Sequence, residues 1–585
     1  MLMSQAKDLK GFRLGDWKSR LSSVSRMLQS WWSRAREPRV LAWLLLFAFL
    51  ATLAVYKLPY TAAQTRTDVD GGYYTSVALH VRDGHGISTN LSLRHKGYSH
   101  FPHPTAIYPL WPLVFGAVAK VVPLAIDEVG RWLGTALYFA TLFFGYLWGR
   151  RLFPEPLFPK TLPGFNAGHV FVLLFGINRN MFIVTSIPET EGLAFALLMA
   201  ALWRLHVIFA RPTFARGLEA GLWCGLVMMA RTQLMLLAMG VVAALAWAVL
   251  VARTSRLAYL KLSGGWALGM GGVLALRYAQ LRSFIDSVGV TEMIRFDKIY
   301  FTELLSRPKA LRPIDGVGEL LENAWTGLEV AFELDGRYAY ARQYHTLQYA
   351  LFGAAAVLFF LALTRARPAR LKAAWANLRE PANMSWVFIV IFALGAFWSM
   401  HVLLRYRSWY FARRHTLPGF FLMFLSLIFM LRRGPPTRAL GVLLLCSSLW
   451  LGGRWVRAHS LRFVERAEKR GDVEYPNLVA WLEQQARGDR EGLIIAMRKA
   501  GRIAWRLPQV GFHHYDSRTT LDDIRVMVTH LGADYVVVRA SDRRPLDRSA
   551  AFKRDFRLVG TESRHRIYAP SKELLAERAR VADRG

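Results

Sequence analysis

The chain has 585 residues, of which 53% are hydrophobic and 20% charged, and its net charge is +34. With a mean hydropathy of +0.21, that apolar content excludes an ordinary soluble enzyme. The Lys and Arg residues gather in short loops between apolar runs, as the positive-inside rule expects, which argues against a nucleic-acid partner.

Residues 1–39 are basic, with Trp17, Trp31 and Trp32 interleaved. They read as a cytoplasmic segment lying at the lipid headgroups. Residues 40–56 carry no charge and predict a first membrane-spanning helix. Similar runs at 346–364, 384–404, 416–431 and 439–453 are too many for a signal peptide. The expected architecture is a polytopic α-helical membrane protein with about eleven to thirteen spans. Charge placement puts the loops 59–107 and 282–344 outside, together with everything from 454 onward. Counting spans from the two ends conflicts by one crossing at 108–123, a short stretch holding Pro109, Pro112 and Pro123. Either that stretch does not span fully or one basic loop breaks the charge rule.

From 454 to 585 the composition becomes that of a small soluble α/β domain. Helices are predicted at 475–487 and 521–531, strands at 492–497 and 534–539, and a closing hairpin at 556–560 and 565–568. Cys224 and Cys446 lie in apolar stretches and form neither a disulfide framework nor a zinc spacing.

The loop 59–107 holds most of the chemistry. Asp68 and Asp70 follow the first span, and Tyr73, Val77 and Val81 recur at helical spacing. A juxtamembrane helix with carboxylates at its start suits general-base work on a hydroxyl, or metal binding, while helix capping explains the same residues without chemistry. Tyr73, Tyr74, His103 and Tyr108 are the candidate substrate contacts of this loop. His100 and His103 flank Pro102, but with Asp70 they make only a loose ligand spacing. No metal ligands are therefore assigned, and no cofactor is expected unless a divalent metal takes part. Glu189 and Glu191 open a later membrane helix, where a carboxylate beside the helix dipole is favoured and becomes a candidate for positioning substrate. Arg405, Arg407, Arg413, Arg414 and His415 form an external cationic cluster suited to a phosphate, against the plainer reading of snorkelling interfacial side chains.

Three stretches of the first loop, DVDGGYY, DGHG and HPTAIYPLWPL, together resemble the GT-C superfamily, the membrane glycosyltransferases that use polyprenyl-phosphate sugars. Protein O-mannosyltransferases and lipid A aminoarabinose transferases are branches of it. IPETEGLAFALL, GLWCGLVMMART, RRHTLP and, in the tail, LDDI and GADYVVV follow in the same order. HPTAIYP departs from the commoner paired-proline form. The resemblance implies transfer of a sugar from a polyprenyl phosphate to a glycan, lipid or protein acceptor at the outer face of the cytoplasmic membrane. The catalytic base then falls on Asp68 or Asp70, with Asp70 favoured because it precedes the tyrosine pair by three residues. A membrane transporter or lipid flippase without transferase chemistry is the alternative, and it predicts internal repeats; none is visible in the sequence.

Overall fold

The structure is a computed structural model. It describes residues 38–583 apart from 65–68, 93–100, 106, 232–234, 252–254, 289–423, 426, 433, 469–474, 488–491, 516–518, 541–545 and 563. The expectations for Asp68, His100, Arg405, Arg407, Arg413, Arg414 and His415, for nearly all of the basic segment 1–39, for the spans at 346–364 and 384–404, and for most of the loop 282–344, lie outside the described residues.

Helix α1 (Pro38–Ala62) opens the described chain, followed by the juxtamembrane α2 (Val69–Arg82). Next come α3 (Leu110–Val121), α4 (Ile126–Leu152), α5 (Ala167–Gly176), the short α6 (Arg179–Val184) and α7 (Glu191–Ala210). The series continues with α8 (Phe214–Ala230), α9 (Met235–Val251), α10 (Arg256–Val288) and, beyond the undescribed stretch, α11 (Pro435–Glu468). Among the described residues three helical stretches are long and apolar enough to cross a membrane: Val40–Ala62, Glu191–Ala210 and Pro435–Ala467. The protein is an integral membrane protein.

Helix α3 rises only about 18 Å at 1.5 Å per residue, short of the ~30 Å hydrocarbon core. It bends 115° into α4 across a short break. The 108–123 stretch therefore does not span by itself, the first of the two alternatives that its prolines left open.

Between the helices, large aromatic side chains fill the core. Trp111, Trp148, Tyr138, Phe171, Phe175 and Phe182 are fully buried. Lys57 is buried with them. Its Nζ donates to the Phe182 carbonyl (2.6 Å) and to the Thr185 hydroxyl (2.8 Å), so the lysine that ends the charge-free run of α1 is satisfied inside the bundle.

The tail forms one sheet. Its own strands are β4 (Ile494–Arg498), β5 (Gly511–Tyr515), β6 (Tyr535–Arg539), β7 (Phe556–Glu562) and β8 (His565–Pro570). Three shorter strands come from the first loop: β1 (Ser88–Thr89) and β3 (His103–Pro104), which pair in a separate two-stranded sheet, and β2 (Leu91–Ser92), which joins the tail sheet. The sheet runs in the order β2-β5-β4-β6-β8-β7, with parallel pairing through β6 and an antiparallel β8–β7 hairpin at the far edge. Helices α12 (Pro476–Arg487), α13 (Leu521–Thr529), α14 (Ala550–Asp555) and α15 (Lys572–Ala582) complete it.

Alternation along the strands divides two cores. Ile495, Met497, Phe512, Val537 and Ile567 belong to the cluster that continues into the membrane helices. Ile494, Ala496, Tyr515, Val536 and Val538 point to the other face, against α13 and Phe552. The tail is thus packed onto the membrane domain through one sheet face. Helix α11 runs unbroken to Glu468, past the change of composition at 454, and carries the chain from one to the other. Strand β5 was not predicted, because two adjacent histidines hide the apolar pattern of GFHHY.

Candidate active site

Asp70 lies in the first turn of α2, the helix that follows α1 in the chain. The dipole at a helix N-terminus favours a negative charge there. On its N-terminal side, the end of α1 is held by Arg131 of α4. The Arg131 Nη1 donates to the Gln64 carbonyl (2.8 Å) and the Ala62 carbonyl (3.2 Å). The guanidinium is tied to Asp127 one turn earlier by an ion pair of 3.3 Å. Carbonyls left open at a helix C-terminus are thereby satisfied by a cation.

On its C-terminal side, α2 lies against the tail. A Cβ at Gly72 would fall 1.5 Å from the Gly501 carbonyl oxygen, so only a glycine permits this approach. Gly501 sits in the first of two 3₁₀ turns, Ala500–Arg502 and Ala504–Arg506, that follow β4. The end of β4 and these turns, which pack against α2, carry four half-buried cations, Arg498, Lys499, Arg502 and Arg506. In sequence they read only as part of a basic soluble tail.

The other first-loop candidates cluster around α2. Tyr73 and Tyr74 are buried, with ring centroids 6.3 Å apart. The Tyr73 hydroxyl hydrogen-bonds to the Thr105 hydroxyl. His103 lies on β3, whose pairing with β1 sets it opposite Thr89. Its Nδ1 donates to the Pro104 carbonyl (2.9 Å). Burial pushes the His103 imidazole down to about 4. Burial also brings His80, on the last turn of α2, to about 4. Both rings are therefore neutral at neutral pH. Tyr108 is half-buried just before α3. From α10, Gln280 Nε2 donates to the Thr105 carbonyl (3.2 Å) and Arg277 Nη1 to the Ile107 carbonyl (3.0 Å), fixing the return of the loop to the membrane.

Glu189 lies in the break between α6 and α7 and Glu191 is the first residue of α7, and both are buried. Glu191 forms an ion pair with Arg231, at the C-terminal end of α8. The Trp111 indole of α3 donates to the Pro188 carbonyl at 3.2 Å, linking this break to the helix that follows the first loop. The structure thus pairs Arg231, a cation within an apolar stretch of the sequence, with a candidate site residue. Arg131, Lys57 and Asn90 were not singled out in the sequence. A charge inside an apolar run was the available signal for the first two. Among the described residues no group of three or more His, Cys, Asp or Glu is placed to hold a metal ion.

The arrangement is that of a polytopic membrane protein whose soluble tail closes over a carboxylate-bearing juxtamembrane helix. Its fold is like that of solved ArnT. The apo crystal structure of ArnT from Cupriavidus metallidurans superposes with a TM-score of 0.50 at 11% identity, over 92% of this chain and 99% of that one. ArnT from the same organism bound to undecaprenyl phosphate superposes with a TM-score of 0.47 at 10% identity, over 90% of this chain and 98% of that one. An Archaeoglobus fulgidus oligosaccharyltransferase, in complex with Zn and sulfate, matches at 0.43 and 11% identity over 89% of this chain and 73% of that one. No family model matches the sequence. No curated protein matches it either.

Proposed function

We propose that the protein is a glycosyltransferase that moves a sugar from a polyprenyl-phosphate donor to a glycan, lipid or protein acceptor at the outer face of the cytoplasmic membrane. Asp70 is the general base and Asp68 the alternative. The observation that carries this reading is a carboxylate in the first turn of α2, where the chain is held on one side by Arg131 and on the other by the tail at Gly72. An attacking acceptor hydroxyl must lose its proton as it bonds to the anomeric carbon, and a fixed carboxylate within hydrogen-bond reach can take it. The polyprenyl phosphate leaves as an anion. Arg405, Arg407, Arg413, Arg414 and His415 are the cations proposed for it, with the tail's Arg498, Lys499, Arg502 and Arg506 as a second source. Glu189 and Glu191 position substrate in this reading. The fold supports it, since the superposed ArnT has this architecture from end to end.

The test is to incubate the purified protein, in lipid nanodiscs, with radiolabelled undecaprenyl- and dolichyl-phosphate sugars and to follow label into lipid, glycan and protein fractions. Asp70→Asn is expected to lower transfer by about 10²–10⁴-fold, the usual contribution of a general base, with unchanged membrane insertion. Full transfer by both Asp68→Asn and Asp70→Asn removes the proposed base. Substrate counterflow in vesicles that lack any acceptor, with no transfer, establishes the transporter instead.

A further inference from the structure

Asn90 stands between the first loop and the tail and is 1% exposed. Its side-chain Nδ2 lies 2.9 Å from the Ala504 carbonyl, 2.9 Å from the Leu507 carbonyl and 3.0 Å from the Val510 carbonyl. These carbonyls belong to the second 3₁₀ turn and the chain that follows it into β5. Its Oδ1 accepts from the Ser76 hydroxyl of α2 at 2.6 Å. The Asn90 carbonyl takes the Phe512 amide at 2.8 Å, which starts the parallel pairing of Leu91–Ser92 with Phe512–His513. One buried amide thus uses its donors on the tail and its acceptor on the helix that begins with Asp70. Buried polar groups satisfied on both sides couple the elements that carry them.

The tail touches α2 a second time, at Gly72. Gly72 and Ser76 are four residues apart and share one face of the helix. Asp70, two residues before Gly72, lies about 200° round the helix at ~100° per residue. The tail therefore grips the back of α2 while Asp70 is set on another side. Loss of that grip frees the rotation and tilt of the first turn without removing any group that touches the substrate.

We infer that Asn90 is a positioning residue through which the C-terminal tail orients the helix that carries Asp70. The role in transfer rests on the base assignment made above, whereas the coupling of tail to helix does not.

The experiment is hydrogen–deuterium exchange on the full-length protein in nanodiscs, comparing the natural chain with Asn90→Ala and with the milder Ser76→Ala. The natural chain and the same two variants, with Asp70→Asn alongside, are then assayed with whichever radiolabelled polyprenyl-phosphate sugar supports transfer. Faster exchange in peptides spanning 69–82, by tenfold or more in Asn90→Ala and by a smaller factor in Ser76→Ala, is the expected result. In the assay, kcat falls at least tenfold in Asn90→Ala while KM for the donor changes less than threefold, because the donor contacts remain. Unchanged exchange over 69–82 in both variants overturns the coupling. Faster exchange with unchanged kcat in both variants overturns the positioning role, and so does a fall in kcat and binding capacity in the same proportion, which marks simple loss of folded protein. If Asp70→Asn is fully active, the base assignment fails on its own, while the exchange data still decide whether Asn90 couples tail and helix. If Asn90→Ala does not fold, Ser76→Ala decides, since it removes one hydroxyl and leaves the tail contacts in place.

Discussion

Three buried ionisable side chains inside the membrane domain, Lys57, Glu191 and Arg231, are satisfied in two different ways. Lys57 is held by a carbonyl and hydroxyls, all neutral acceptors. Glu191 and Arg231 are held by each other, with side chains only 1% and 8% exposed. Removing one member of such a pair leaves a charge buried without its counter-ion, which typically costs about 3–5 kcal/mol, whereas removing both is far less damaging. Glu191→Gln and Arg231→Met are each expected to lower thermal stability in detergent strongly. The double variant should lie closer to the natural protein than either single one. Equal and additive losses would mean that the pair does not act as a unit.

At the scale of elements, the glycines of α8 have a packing role. A Cβ at Gly217 would fall 2.1 Å from the Leu262 carbonyl oxygen, and one at Gly221 2.2 Å from that of Trp266. In α10, Gly265 and Gly269 answer them against Phe214 and Leu218. Small residues every four positions let two membrane helices approach backbone to backbone, where dispersion and weak Cα–H···O contacts replace the hydrophobic drive that lipid does not supply. Gly221→Ala should force α8 and α10 apart and cost about 1–3 kcal/mol, the usual penalty for overpacking. Gly271→Ala, on the same α10 but with nothing within 4 Å of the new methyl, is the control and should leave the melting temperature unchanged. The G-x-x-x-G spacing of this segment was visible in the sequence as part of a family resemblance. Its partner helix was not, because spacing names a face and not what covers it.

For the whole molecule, the contact that matters is the docking of the tail onto the first loop. His80 and His103 are buried beside it; His85 and Asp83 act electrostatically on His80, and His513 of β5 and His80 on His103. Burial, the largest influence on each, lowers both from 6.5 to about 4. Above pH 6.5 both rings are neutral in the folded and unfolded chains, and pH has no effect through them. As pH falls from 6.5 towards 4, the unfolded chain binds protons that the folded one refuses, so stability declines; below 4 the loss levels off. Thermal unfolding followed from pH 7.5 to 4 should show this decline, and His103→Gln should reduce its slope. A slope unchanged by His103→Gln would place the protonation elsewhere.

The sequence alone determined what depends on local composition and period. A charge-free run defines the first span, a helical repeat after it defines α2, and Asp70 stands at the head of that helix. The alternating tail segments emerge as β4, β6 and the β7–β8 hairpin within a residue or two. The family resemblance anticipated a membrane fold like that of ArnT. What only the tertiary structure decided are the contacts between distant residues. Asn90 reaches carbonyls more than 400 positions away, and Arg131 holds Gln64 across 67. Leu91 and Ser92 complete a sheet whose other strands lie at the opposite end of the chain. The physical reason is that hydrophobic period records which face is buried, while a buried polar hydrogen bond depends on where two backbones meet, which no local window contains. A carboxylate after the first span could be read from the residues, but the grip that orients it required the fold.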